Sequence, residues 1–236
     1  MENLRPNGQR AKIAIMLLWI VLTVEIISLL SDYLQYDLLQ TVANGGQITT
    51  ETATDNDVRQ KIIGIIYLIV YVISGITFIR WFRRAYYNLH LKAETLSFTE
   101  GWAAGCWFVP IISLYRPCQI MKELYQETQR LLSKNDESYI QNLNTNSIGW
   151  WWALWIIASF LGQFIFRYSL KAETIDELIT TTVASIAASI IGIPLAIITV
   201  KVIKDYAEIE ALLYELKDEE DELKIMPDTN LLPLEN

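Results

Sequence analysis

Four long apolar runs dominate the chain: Ile13–Leu30, Ile62–Ile79, Ile148–Phe166 and Leu178–Val200. Each is close to the roughly 20 residues that an α-helix needs to cross about 30 Å of hydrocarbon. Lipid offers no partner to a backbone N–H or C=O, so a spanning segment is a helix or part of a closed barrel, and continuous apolar runs predict helices. The expected fold is all-α and polytopic, with four transmembrane helices arranged as two hairpins, 1–2 and 3–4. Arg5, Arg10 and Lys12 before the first run resemble the start of a signal peptide. That run is longer than an h-region of roughly 7–15 residues, and no small-x-small cleavage site follows it in SDYLQYDLL, so it is read as a retained span.

The formal charge of −8 is unevenly placed. From Asp205 onward the chain carries 11 acidic and 2 basic residues, so the acidity belongs to a tail and the remainder is near neutral. Neither part has the basic character of a nucleic-acid-binding surface. Two regions are expected: residues 1–204, a four-helix membrane domain that includes the segment 80–147, and residues 205–236, an acidic helix and tail. With the N-terminus in the cytoplasm, 15 lysines and arginines lie on the inner side and 4 (Arg59, Lys61, Arg167 and Lys171) on the outer. The positive-inside rule then predicts that both termini are cytoplasmic. The first outer segment, 31–60, reads as a polar loop with a turn at NGG, 44–46, and the second, near 168–177, is short.

The inner segment 80–147 holds the unusual part of the chain. RWFRRAYYNLHLKAE has no helix breaker, so the second span should continue to about Lys92, with Trp81, Ala85 and Leu89 on one face and Arg80, Arg83 and Arg84 at the membrane surface. Ser97-Phe-Thr-Glu100 has capping-box spacing, and the short helix it opens should end at Pro110. A further helix should begin near Arg116–Pro117 and run to about Ser133, burying Ile120, Met121, Leu124 and Leu131, before a polar linker over 134–147. The apolar stretch Trp102–Leu114 would be roughly 20 Å long as a helix, too short to span. Its two ends lie on the same side, so it should enter the membrane surface and leave by the same face, either re-entrant or interfacial. Gly101 and Gly105 would permit close backbone approach, Trp102 and Trp107 would anchor at the headgroups, and Arg116 would mark the exit.

Few residues have the makings of chemistry. Glu25 lies within the first run, where an ionisable group costs about 2.5–3.5 kcal/mol on insertion scales and normally faces a partner or a cavity. Gln163, and Tyr67 or Tyr71, should lie at similar depth. Either Glu25 is a proton or ion site, or it is a hydrogen-bonded group locking helices together. In the fourth run Ala184/Ala188 and Ser185/Ser189 are small-xxx-small pairs suited to close helix approach, and Gly192 and Pro194 predict a kink. WWW, 150–152, fits an aromatic belt. Cys106 and Cys118 read as packing residues, His90 has no nucleophile beside it, and no metal-ligand, P-loop or GxSxG spacing occurs. No catalytic residue, cofactor or metal is expected. Val202, Tyr206, Ile209, Leu213 and Leu216 form an a/d stripe of two heptads, which must bury either against the chain's own inner helices or against a second copy.

RWFRRAYYNL, 80–89, followed by GWAAGCWFVPIISLYRPCQIMKELY, 101–125, resembles the bacterial membrane-protein family catalogued as domain of unknown function 4328. The residues that carry the likeness are Asn88, Gly101, Trp102, Gly105, Trp107, Phe108, Pro110, Arg116, Pro117 and Gln119. The chain departs from the family pattern at Ser113, Tyr115 and Cys118, where Asn, Trp and Tyr are frequent. The resemblance implies a multi-helix bacterial membrane protein, and hence the cytoplasmic (inner) membrane, with this segment between two helix pairs; it implies no activity. Three functions stay open on the residues. One is a non-enzymatic interaction or regulatory module, with the bilayer and a protein or second copy as partners. Another is a small transporter or channel component using Glu25. The third is a lipid-binding or lipid-modifying protein using Arg83, Arg84 and Arg116 against phosphate.

Overall fold

The structure is a computed structural model that describes residues 4–93, 95–135 and 146–225. The described chain forms α1 (Gly8–Ala43), α2 (Thr50–His90), α3 (Glu100–Gly105), a 3-10 turn (Ile112–Leu114), α4 (Arg116–Asn135), α5 (Asn146–Ser169) and α6 (Ile175–Ile225). Helices α1, α2, α5 and α6 are long and apolar enough to cross a membrane. α1 packs between α2 and α6, and α5 lies against α6. Along the middle of α2, Ile65, Ile66, Leu68 and Ile69 stay exposed, with Leu68 at 61%. A continuous apolar face of this length is expected where the solvent is lipid.

The buried core sits at one end of this bundle, the end that carries the N-terminus. There Phe78, Trp81, Phe82, Ala85, Tyr86 and Leu89 of α2 meet Ile120, Met121, Leu124 and Tyr125 of α4. Trp151 of α5 and Val202, Ile203 and Tyr206 of α6 close the cluster. The Tyr125 hydroxyl donates to the Val202 carbonyl (2.5 Å), and burial pushes that phenol far above its ordinary range. Between helices in lipid only packing and hydrogen bonds are available, whereas a cluster closed off from water also gains from the hydrophobic effect. The stripe Val202, Tyr206, Ile209, Leu213 is buried inside it, with Leu132 of α4 and Leu4 packed on its far part.

Several local expectations are corrected. The outer segment 31–60 is mostly helix: α1 continues to Ala43, and α2 starts at Thr50. The reason is local. No breaker precedes NGG, where Gly45 takes φ +82°, and Thr49 caps α2 by accepting from the Thr52 N–H (3.1 Å). Ser97 is not a helix cap, because its N–H is taken by Glu123 Oε1 (2.7 Å), and α3 begins after Thr99 and ends at Gly105, well short of Pro110. A true capping box forms instead at Thr174–Glu177. There the Thr174 hydroxyl accepts from the Glu177 N–H (3.3 Å), and Glu177 Oε2 accepts from the Thr174 N–H (3.0 Å). α2 ends at His90 and α4 at Asn135, close to expectation, while most of the 134–147 linker lies outside the described residues.

Candidate functional site

Three polar constellations interrupt the apolar fold, and the first is the segment 100–117. After α3 the chain turns through Cys106–Ile111 before the 3-10 turn. Ile111 has φ +67° and ψ −51°, and the Ile112 N–H donates to the Pro110 carbonyl (2.8 Å), which is a γ-turn of the strained hand. A β-branched residue pays on the order of 1–3 kcal/mol for such backbone. The turn throws Phe108 and Ile111 outward, 76% and 75% exposed. Trp107 points the other way. Its ring meets Phe78 and Phe82 of α2 and Trp151, Trp152 and Trp155 of α5, at centroid distances of 5.5–6.4 Å. Trp152 Nε1 donates to the Leu114 carbonyl (3.0 Å). The segment thus plugs the gap between the end of α2 and the start of α5. The Arg116 guanidinium sits over the Phe98 ring at 4.4 Å, with Tyr115 and Trp102 at 5.4 and 5.9 Å.

The second constellation ties the N-terminal residues to α2 and α6. Asn88, fully buried, turns Nδ2 toward three acceptors that share its two hydrogens: Glu210 Oε1 (2.7 Å), the Arg5 carbonyl (2.9 Å) and the Tyr214 hydroxyl (2.9 Å). Its Oδ1 accepts from the Arg5 N–H (3.1 Å). The other Glu210 oxygen accepts from Asn7 Nδ2 (2.9 Å). One carboxylate is thus held by two amides from different parts of the chain. Beside this latch the N-terminal segment and the first turns of α2 past its apolar run enclose a cavity of about 340 Å³, lined by Arg5, Arg10, Arg80, Arg83, Arg84, Tyr87 and Glu100. The Arg5 and Arg84 guanidinium carbons lie 4.5 and 5.8 Å from the Tyr87 ring centre, and Arg83 pairs with Glu100 at 2.8 Å.

The third lies inside the spans. Glu25, 5% exposed, accepts from the Tyr67 hydroxyl (2.8 Å), with Ser189 of α6 beside it. A Cβ on Gly192 would fall 2.5 Å from Glu25 Oε1, so the glycine makes the room the carboxyl occupies. Toward the far end, Arg59 donates to Ser31 Oγ (3.0 Å) and Asn56 Oδ1 (2.6 Å), and Gln35 Nε2 donates to Thr182 Oγ1 (2.8 Å). These bonds knit α1, α2 and α6 at the end away from the N-terminus.

The sequence model of one family, described as a domain of unknown function (DUF4328), matches residues 44–208. The chain belongs to this family. A search of curated proteins found no match. A search of solved structures likewise found none. The DUF4328 match takes in the whole of α2, the signature segment, α4 and α5, and it stops two residues before Glu210. The latch therefore joins Asn88 from inside the matched region to Asn7 and Glu210 outside it.

Measured against the sequence expectations, Arg80, Arg83, Arg84 and Asn88 come together at the N-terminal end of the bundle, while Arg116 is caged by rings apart from them. Glu25 finds Tyr67, but Gln163 is exposed on α5 and is not among its partners. Gly101 and Gly105 do not serve close approach, since a Cβ at either would meet nothing within 4 Å. Pro117 is buried at the start of α4, Gln119 is exposed, and Pro110 sits in the turn rather than at a helix end. Glu210, Asn7 and the Gly192 contact were missed. Glu210 lay within an acidic tail, where a charge reads as solvated, and only its i, i+4 placement between Tyr206 and Tyr214 hinted otherwise.

Proposed function

We propose that this chain is a non-enzymatic interaction module of the bacterial cytoplasmic membrane, with both termini in the cytoplasm. The observation that supports it best is the path of α6. The helix is buried at Ile209 and Leu213 and stays helical to Ile225 through the acidic run 218–222, while the side chain of Leu216 lies outside the described residues. A helix carried out from a rigid aromatic cap is a presented element, and the cap holds it in a defined direction. The 15-to-4 distribution of lysine and arginine supports the sidedness. The spans pair as two hairpins, α1 with α2 and α5 with α6, and the segment 101–117 is an interfacial bridge between them. Its outward Phe108 and Ile111 rest in the headgroup layer, beside the Trp107 ring cluster. The 202–213 stripe is spent within the chain, so a partner is met beyond it.

Cross-linking in membranes followed by pull-down tests this reading. Full-length protein should give cross-linked species that a chain ending at Lys217 does not. Monomer alone from both chains overturns it.

Glu25 favours a second reading, a transporter or channel component, because a carboxyl inside an apolar span is costly unless used. Tyr67, Ser189 and the Gly192 recess enclose the carboxyl as a helix-locking group would be enclosed. Reconstituted flux of the wild type abolished in Glu25→Gln would favour transport, and no flux in either would end that reading.

A further inference from the structure

Among its described lining residues, the cavity between the N-terminal segment and α2 gathers more arginines than carboxylates. Arg5, Arg10, Arg80, Arg83 and Arg84 line it, and the carboxylate in its lining is Glu100, which already pairs with Arg83 at 2.8 Å. Glu210 stands behind the cavity, its two oxygens bonded by Asn88 and Asn7, and its charge reaches Arg84. The arginines are also positioned rather than loose. Arg10 donates to the Arg80 carbonyl (3.2 Å), and Arg5 and Arg84 lie along the Tyr87 ring. The latch through Asn88 fixes the Arg5 backbone. Guanidinium groups brought this close repel one another, and an anion between them removes that repulsion. Their planar forks match the oxygens of phosphate.

Depth narrows the source. Arg80 directly follows the apolar run of α2, and Arg10 stands three residues before the run of α1. The cavity therefore opens where the hydrocarbon of both spans ends, at the level of phospholipid headgroups. A volume of about 340 Å³ is ample for a phosphate with its glycerol substituents.

We infer that this five-arginine cavity is a binding site for a phosphate group, presented by the headgroup of an anionic phospholipid. The site goes beyond the interaction module proposed above and does not need it, although its leaflet follows from the same sidedness. Positive-inside anchoring alone would make any exposed basic residue equivalent. The cavity makes these five unequal to the rest.

The test uses the full-length protein in detergent micelles, titrated with phosphatidylglycerol or phosphatidylcholine and read by native mass spectrometry. The expected result is at least tenfold preferential retention of phosphatidylglycerol. The double variant Arg10→Gln/Arg84→Gln should lose that preference, and the control Lys122→Gln/Lys134→Gln, on α4, should keep it. If the first double variant does not fold, Arg80→Gln/Arg83→Gln, both exposed, carries the same expectation with a smaller loss. Soluble glycerol phosphate forms the other arm. Failure to displace the lipid at millimolar concentration supports the headgroup as source. Displacement supports the phosphate site but overturns the lipid assignment. Equal retention of the two lipids without glycerol phosphate binding, or equal loss in the control variant, overturns the site. Because binding in micelles is independent of the presented α6 helix, failure here leaves the cross-linking outcome unaffected.

Discussion

At Gly192 a single hydrogen atom decides whether α1 and α6 can share a buried carboxyl. A methyl there would sit 2.5 Å from Glu25 Oε1, so Gly192→Ala should cost about 1–3 kcal/mol, read as a lowered melting temperature in detergent. Combined with Glu25→Ala the penalty should shrink, since the clash and its partner vanish together, and strict additivity of the two losses would refute the contact. The cysteines make a second test. Burial pushes the Cys106 thiol up to about 12 and raises that of Cys118 as well. Only the thiolate is alkylated, so at pH 8 the folded protein should react with iodoacetamide roughly 1,000-fold more slowly at Cys106 than an ordinary thiol would. Because the pKa is raised, labelling should climb as pH approaches 12 and should be rapid at pH 8 once the chain is unfolded. Fast labelling of the native protein would contradict the burial. Both effects were only half legible beforehand. Glu25 announced itself by being charged in an apolar run, whereas Gly192 looked like a kink residue, because nothing local shows which helix will approach it.

Between elements, Asn88 does the joining. Asn88→Ala would leave Glu210 with one amide donor fewer, take the acceptor Asn88 Oδ1 from the Arg5 N–H and leave the Arg5 carbonyl with the Tyr214 hydroxyl. A loss of about 2–4 kcal/mol is expected. Limited proteolysis should then cut near the N-terminus while α5 and the rest of α6 stay resistant. Asn88→Asp, nearly the same shape, should be at least as harmful, because it sets a second carboxylate against Glu210. An unchanged digestion pattern in both variants would remove the latch. The signature turn is tested by depth. Nitroxide labels at positions 108 and 111 should collide more with oxygen than with a water-soluble nickel complex, and a label at exposed position 119 should do the reverse. Water-like behaviour at all three would exclude insertion into the headgroup layer. The turn's apolar character and its inability to span were plain from residue types. Its γ-turn at Ile111 and the inward aim of Trp107 were not, since both follow from the five rings that α2 and α5 bring to that place.

Across the whole molecule, the positive-inside distribution makes one prediction: fluorescent-protein fusions at either terminus should glow in the cytoplasm, and a reporter inserted at Gly45 should be active only outside. A dark C-terminal fusion would reverse the sidedness. The four apolar runs determined how many helices are apolar enough to span and the all-helical class, because a segment in lipid must satisfy its own backbone and so declares itself by composition alone; they did not reveal the helix ends, since α1 continues to Ala43 and α2 starts at Thr50. Sequence spacing also anticipated the a/d stripe and the α2 extension, which depend on one helix's own periodicity. What covers the stripe, which glycine receives Glu25, and that five arginines share one cavity were decided only by tertiary structure. Those facts depend on which helices become neighbours. α1 lies against α6, some 150 residues away in the chain, and no local preference records a contact at that separation.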